Sequence, residues 1–290
     1  MGKLIPLGIK KKIGDVIDNP KIIPYYFHTL NNSRKNLLNL KTNNNLKFTN
    51  TLAIQIHIFY TDLLPELYSY LSNICFSFDL YITTDSTSKK EIIDDFFIQH
   101  KLSTGNIFVL QVENRGRDIW PFLYQMHSVY NNYEYIMHLH TKKSMHTSLG
   151  EKWRKYLYKS LIGKKNHLEQ VLICCEINKE IGFVSPRPFM KIIKSYYDNI
   201  HNESYNEMID ELLIKLQINI SRTEIKEHKF PSGNMFIART DAIRQLLEYP
   251  FSASDFPEEE GQINGTLQHI IEFFWIFIVT FNGYTYKECK

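Results

Sequence analysis

Between residues 52 and 140 short apolar runs alternate with amphipathic stretches in the order β-α-β-α-β-α-β. The strands are expected at Leu52-Ala-Ile-Gln-Ile-His-Ile-Phe-Tyr60, 78–83, 106–112 and 133–140. The helices are expected at 63–73, with Asp62 as its cap and Pro65 in its first turn, at 89–101 and at 118–130. Strands that read as nearly unbroken apolar runs are covered on both faces, and such alternation specifies a parallel, doubly wound α/β sheet. Ligands of these sheets sit beyond the carboxyl ends of the strands. Four polar segments should therefore meet in one crevice: Tyr60-Thr61-Asp62, Thr84-Asp85-Ser86, Glu113 to Asp118, and His138 to Ser144.

The second half is expected to be more helical, with helices over 153–161, 167–177, 188–216, 240–248 and 266–281. A short strand is expected at 181–185 and a turn leading into a strand at 230–239, ahead of an acidic loop at 255–265. No linker rich in Pro, Gly or Ser separates the halves. One domain over 51–290 follows, preceded by a polar, partly helical extension over 1–50.

The balance of 34 Lys and Arg against 31 Asp and Glu is too even for a dedicated nucleic-acid binder. At 43% hydrophobic residues the chain is not disordered. Four Cys, two of them the adjacent Cys174 and Cys175, make no disulfide scaffold and point to a reduced, cytoplasmic setting. The longest apolar run, Phe273 to Phe281, is far short of the ~20 residues that span a bilayer. The Lys-rich N-terminus lacks the unbroken apolar stretch and small-residue cleavage site of a signal peptide, and Lys10-Lys11-Lys12 reads as a solvated face. There is no Gly-x-Ser-x-Gly, Walker loop or Gly-x-Gly-x-x-Gly, so hydrolase-triad and dinucleotide chemistry are not indicated.

Three segments carry chemistry. His138 and His140 lie two apart on a strand and so share a face. Such a pair suits a metal, a phosphate or a hydrogen-bonded strand end, and Lys142 and Lys143 beside it tilt the choice toward an anion. In Asn114-Arg115-Gly116-Arg117-Asp118, Gly116 permits a tight turn and the arginines offer rigid forks for phosphate or carboxylate. Asp118 is placed to cap the next helix. In 255–262, Asp255, Glu258, Glu259 and Glu260 cluster ahead of an apolar helix; they either supply a general base or complement the helix dipole.

Four stretches together resemble the rhamnan synthesis protein F family: Asn-Arg-Gly-Arg-Asp-Ile-Trp-Pro-Phe (114–122), Leu-His-Thr-Lys-Lys-Ser (139–144), Phe-Pro-Ser-Gly-Asn-Met-Phe (230–236) and Asp-Phe-Pro-Glu-Glu-Glu-Gly-Gln-Ile-Asn-Gly-Thr-Leu (255–267). The resemblance implies a bacterial glycosyltransferase of surface polysaccharide synthesis, such as capsule or O-antigen. It also implies a GT-A-like sheet and a nucleoside diphosphate sugar, UDP- or dTDP-linked, as donor. Phe59, Tyr60 and Asp85 would then hold the nucleoside. Arg117, Asp118, His138, His140, Lys142 and Lys143 would face the diphosphate, and Ser232, Gly233 and Asn234 the donor sugar. The Asp-x-Asp that binds a metal in GT-A enzymes is replaced here by His138-Leu-His140. No cofactor is therefore certain, with Mg2+ or Mn2+ as the candidates. Where relatives carry a base Asp this chain has Asn264, which leaves Asp255 as first choice and Glu259 and Glu260 in reserve. The implied acceptor is a glycan or lipid-linked glycan, met at the inner membrane face. A binding protein that has lost its base, or a His-dependent metallohydrolase, are the alternatives.

Overall fold

The computed structural model describes residues 22–40, 46–102, 105–141, 143, 149–192, 205–223, 231, 233–262 and 265–290. Lys10 to Lys12, Lys142, Ser232 and Asn264 lie outside them. The chain runs through α1 (Ile22–Lys35), β1 (Leu52–His57), α2 (Leu64–Leu71), β2 (Asp79–Thr84), α3 (Thr87–Gln99) and β3 (Ile107–Gln111). It continues through α4 (Ile119–His127), β4 (Tyr135–His140), α5 (Gly150–Ile162), α6 (His167–Ile177) and β5 (Ile181–Pro186). The last part holds α7 (Asn206–Lys215), β6 (Phe236–Arg239), α8 (Arg244–Glu248), α9 (Leu267–Phe281) and β7 (Thr285–Cys289).

The seven strands form one sheet in the order β3-β2-β1-β4-β6-β5-β7. β1 pairs in parallel with β2 and β4, and β2 with β3. Only β6 runs against its neighbours β4 and β5. Alternation along β1 explains the two cores. Leu52, Ile54 and Ile56 pack with α2, α3, α5 and α6 on one face, while Ala53 joins α4, α7, α8 and α9 on the other. The sheet is therefore doubly wound, as the alternation demands. The strand sequence reverses direction at β1, because β2 and β3 lie on one side of it and β4 on the other. In doubly wound sheets that switch point is where the ligand crevice lies, here above the carboxyl ends of β1 and β4.

Several expectations are adjusted. Asp62 caps nothing; α2 is preceded by a 3-10 turn at Thr61–Leu63 and begins with Pro65 in its first turn. The third helix instead has a working cap, with the Ser86 hydroxyl accepting from the Lys89 amide. Over 188–216 the structure has a 3-10 turn at Met190–Ile192 and then α7, with residues 193–204 outside the described residues. The C-terminal part is helical as expected and also adds three strands, one of which, β7, lies beyond the expected elements. α1 docks at that edge. Leu37 bridges Glu288 in parallel, Ser33 donates to the buried Glu288 carboxylate, and Asn36 reaches Tyr286 at 2.8 Å. Among the described residues no helix is long and apolar enough to cross a membrane.

Candidate active site

The floor of the crevice is a polar network inside an apolar core. Gln55 and His57 on β1, Thr83 on β2, and His138 and His140 on β4 are all buried. By strand alternation they share the face that carries Ala53, Tyr81 and Ile136. The His138 and His140 rings lie 6.0 Å apart and 17° from parallel. His138 Nδ1 faces Gln55 Oε1 at 2.8 Å, and His138 Nε2 meets Asp118 Oδ2 at 3.1 Å. Gln55 donates to Thr83 Oγ1 at 3.0 Å and Gln125 Oε1 at 3.3 Å, while His57 Nδ1 lies 3.0 Å from Thr83 Oγ1. The Asn234 amide donates to Asp118, and its oxygen accepts from the Trp275 indole at 2.8 Å. His140 Nε2 donates to the Gly233 carbonyl at 2.9 Å, and its Nδ1 stands 3.9 Å from Asp118 Oδ1.

Asp118 is thus the anion at the centre of this network. Burial would raise its carboxyl, but His140, then His138 and Asn234, outweigh burial and hold it well below the ordinary carboxylate range. Burial lowers His57 to about 4, with the Asp118 and Asp85 charges opposing only in part. Asp118 stands at the first position before α4 but makes no side-chain cap, contrary to expectation, because its oxygens are spent on β4 and Asn234.

Two loops supply these groups, and each turns through a left-handed pair: Gly116 (φ 59°) with Arg117 (φ 54°), and Gly233 (φ 79°) with Asn234 (φ 51°). A Cβ at Gly116 would lie 2.7 Å from both Phe256 and Trp120, so glycine is needed there for space as well as for φ. Arg117 holds a conformation that costs an ordinary residue about 1–3 kcal/mol, and its guanidinium contacts offset that cost. It donates to the Gln262 carbonyl, lies 3.4 Å from Glu259, and gives Nη1–H to His269 Nε2 at 3.3 Å. Accepting there, His269 donates Nδ1–H to Thr266 Oγ1 at 2.6 Å. Burial first and the Arg117 charge second lower this imidazole to about 4. Arg115 meets the Phe256 carbonyl at 2.9 Å and Glu258 at 2.8 Å. The acidic segment is therefore fastened to the Asn114–Asp118 loop, a role its position ahead of a helix does not reveal.

The rim beside β1 is aromatic and charged. Thr141, following β4, accepts the Phe59 and Tyr60 amides at 2.9 and 3.0 Å, which ends β1 at His57 rather than at Tyr60. The two rings meet edge-on at 4.9 Å. Lys89 sits 3.8 Å from the Phe59 centroid and 2.6 Å from Asp85; Lys143 sits 4.8 Å from the Tyr60 centroid and pairs with Asp62. The more exposed Lys143–Asp62 pair is worth about 0–1 kcal/mol and opens easily for a ligand, whereas Lys89–Asp85 is half-buried. Phe59, Tyr60, Asp85 and Lys143 are thus brought together. Lys89 belongs with them, and its spacing of four from Asp85 at a helix start was the signal for it.

The remaining candidates fall elsewhere. The buried His138 and His140 spend their ring nitrogens on Gln55, Asp118 and the Gly233 carbonyl, so both support the crevice floor from beneath. Asn234, 2% exposed, likewise spends its side chain on Asp118 and Trp275 rather than on a sugar. Asp255 accepts from Lys215 at 2.6 Å and from Ser252 N and Oγ, both at 2.9 Å. Burial raises its carboxyl, but these partners outweigh it, and the net shift is downward. A carboxylate so occupied is a poor base. Glu260 is exposed, whereas Glu259 is half-buried against Arg117.

Among the described residues no group of three His, Cys, Asp or Glu side chains is placed to hold a metal ion. The ring nitrogens that would bind one at His138 and His140 face Gln55, Asp118 and Gly233. These residues do not fit a divalent cation, and the metallohydrolase reading loses its ligands.

Residues 24–284 match the model of the family described as rhamnan synthesis protein F. Two proteins from Xanthomonas campestris pv. campestris, one from each of two strains and both called "Uncharacterized protein WxcX", are 30% identical to this chain over 233 residues. The match covers 80% of this chain but 32% of each relative, so the chain spans about a third of the length of these relatives.

Proposed function

The chain belongs to the rhamnan synthesis protein F family, and from that premise we propose that it is a GT-A-like glycosyltransferase. It moves a sugar from a UDP- or dTDP-linked donor onto a glycan or lipid-linked glycan of a bacterial surface polysaccharide, with inversion. The observation that carries this reading is the switch-point crevice between β1 and β4. Its floor holds the ionised Asp118, and its rim gathers Phe59, Tyr60, Asp85, Lys89 and Lys143. Such a site offers rings for a base, carboxylates for ribose hydroxyls and ammonium groups for phosphates.

In the reaction a carboxylate takes the acceptor hydroxyl's proton as that oxygen bonds to the anomeric carbon. The bond from this carbon to the phosphate oxygen breaks, and the nucleoside diphosphate leaves with the electron pair. Lys143 and Arg117 neutralise the charge that develops on it. Glu259 is the preferred base, because Arg117 approaches it only to 3.4 Å, whereas Asp255 is held by Lys215 at 2.6 Å and by the Ser252 amide and hydroxyl at 2.9 Å. A lipid-linked acceptor would bring the enzyme to the inner face of the membrane.

The test is release of nucleoside diphosphate and labelled product from UDP- and dTDP-sugars. Glu259→Gln is expected to lower turnover by ~10²–10⁴ with donor affinity nearly unchanged, as loss of a general base does. Asp255→Asn is expected to keep turnover within a few-fold. The reverse pattern would return the base to Asp255.

A further inference from the structure

Among the described residues one buried side chain has both an acceptor and a donor group unspent. Gln268, in the first turn of α9, is 1% exposed, and neither its amide nitrogen nor its amide oxygen meets a partner. A buried polar group left in that state is costly, and Leu in its place would avoid the cost. Helix geometry gives its direction. Gln268 precedes Trp275 by seven residues, so both fall on one stripe of α9, with Gln268 about 10 Å nearer the strand ends. Trp275 on that stripe reaches Asn234, which holds Asp118. Side chains in a helix lean toward its N-terminus, so Gln268 leans further toward the crevice. Its own turn is fixed there through His269 to Arg117 at 3.3 Å.

We propose that Gln268 is a sugar-recognition residue, its amide oxygen accepting from one hydroxyl of the donor's pyranose and its NH2 donating to the neighbouring hydroxyl. This rests on the transferase reading above. The amide chemistry selects the ligand class. A phosphate would leave the amide oxygen unpaired, and a cation would leave the NH2 unpaired. A vicinal diol satisfies both. The positive end of the α9 dipole favours the same place for the electron-rich oxygens of the sugar. The donor is favoured over the acceptor because the stripe leads inward to the Asp118 floor, away from the exposed Glu260 side.

The experiment compares the wild-type chain with Gln268→Leu, and with Gln268→Met should Leu disturb packing. Each is titrated with UDP, dTDP, UDP-glucose and dTDP-rhamnose, and melted without ligand. The expected result has three parts. The ligand-free melting temperature is unchanged or higher, affinity for the bare nucleoside diphosphate stays within twofold, and affinity for the preferred sugar nucleotide falls about tenfold or more. A variant that keeps the wild-type preference for sugar nucleotide over bare nucleotide overturns this inference and leaves the transferase reading standing. So does a fall of several degrees in ligand-free melting temperature for both variants, which would mean that the amide serves the fold. A wild-type chain that binds none of the four nucleotides contradicts the transferase reading, and this inference with it.

Discussion

Asp118→Ala is expected to cost about 3–5 kcal/mol of folding stability and to abolish donor binding. Removing a buried carboxylate leaves its hydrogen-bond partners desolvated and unpaired, which is the source of that magnitude. Here the stranded groups are His138 Nε2 and the Asn234 amide, both almost inaccessible to water. The damage spreads, because Asn234 orients the 233–234 turn and His138 orients Gln55, which spans β1 and β2 through Thr83. Asp118→Asn keeps the shape but sets an amide among donors, so it should recover part of the stability and none of the affinity. Urea unfolding with calorimetric titration checks both. A loss under 1 kcal/mol for the alanine variant would mean that Asp118 does not organise the crevice floor.

Stability is expected to change little between about pH 7 and 8 and to fall steeply below about pH 6.5. His57 and His269 are held down to about 4 in the folded chain, against ~6.5 when unfolded. Between those values the unfolded chain binds protons that the folded chain does not. Acid therefore favours unfolding, by about 1.4 kcal/mol per pH unit for each imidazole. The groups facing His57 are Asp118, His140, Asp85 and His138, and those facing His269 are Arg117 and Asp118. Asp118 itself has the opposite timing. A carboxyl held low contributes fully above its unfolded value of ~3.9 and is lost only in stronger acid. Urea unfolding at pH 7.5, 6 and 5 measures the slope. His57→Asn should reduce it by somewhat less than half whatever it does to stability at pH 7.5, because burial lowers the His167 imidazole as well. A slope unaltered by that substitution would exclude His57 as a source.

The parallel half of the sheet was legible because β1, β2 and β4 are covered on both faces and so read as apolar runs with turn signals between them. β7 was not. Thr285-Tyr-Lys-Glu-Cys289 alternates polar residues at a sheet edge, where α1 supplies the cover, and nothing local in 285–289 announces α1. The crevice's location followed from topology, and its rim from strand ends. The floor did not, because it is made by contacts between different elements, from 20 residues apart for Asp118 with His138 to 116 for Asp118 with Asn234. One signal was present: Gln55 and His57 are polar at alternate positions of an otherwise apolar strand, which places them on one face. The acidic segment illustrates the limit of composition. Asp255, Glu258 and Glu259 are equivalent by charge, and only packing distinguishes a capping residue, an exposed latch and a half-buried candidate base.

If the chain is a transferase, a nucleoside diphosphate binds over the ends of β1 and β4, with its base on the Phe59–Tyr60 side. Isothermal titration of UDP and dTDP into the wild-type chain, Tyr60→Ala and Lys143→Ala tests it most directly. The expected result is saturable one-to-one binding of at least one nucleotide, weakened about tenfold or more by either substitution, through lost stacking in one and a lost charge-assisted hydrogen bond in the other. Binding that both substitutions leave unchanged, or no binding by a folded wild-type chain, would contradict it.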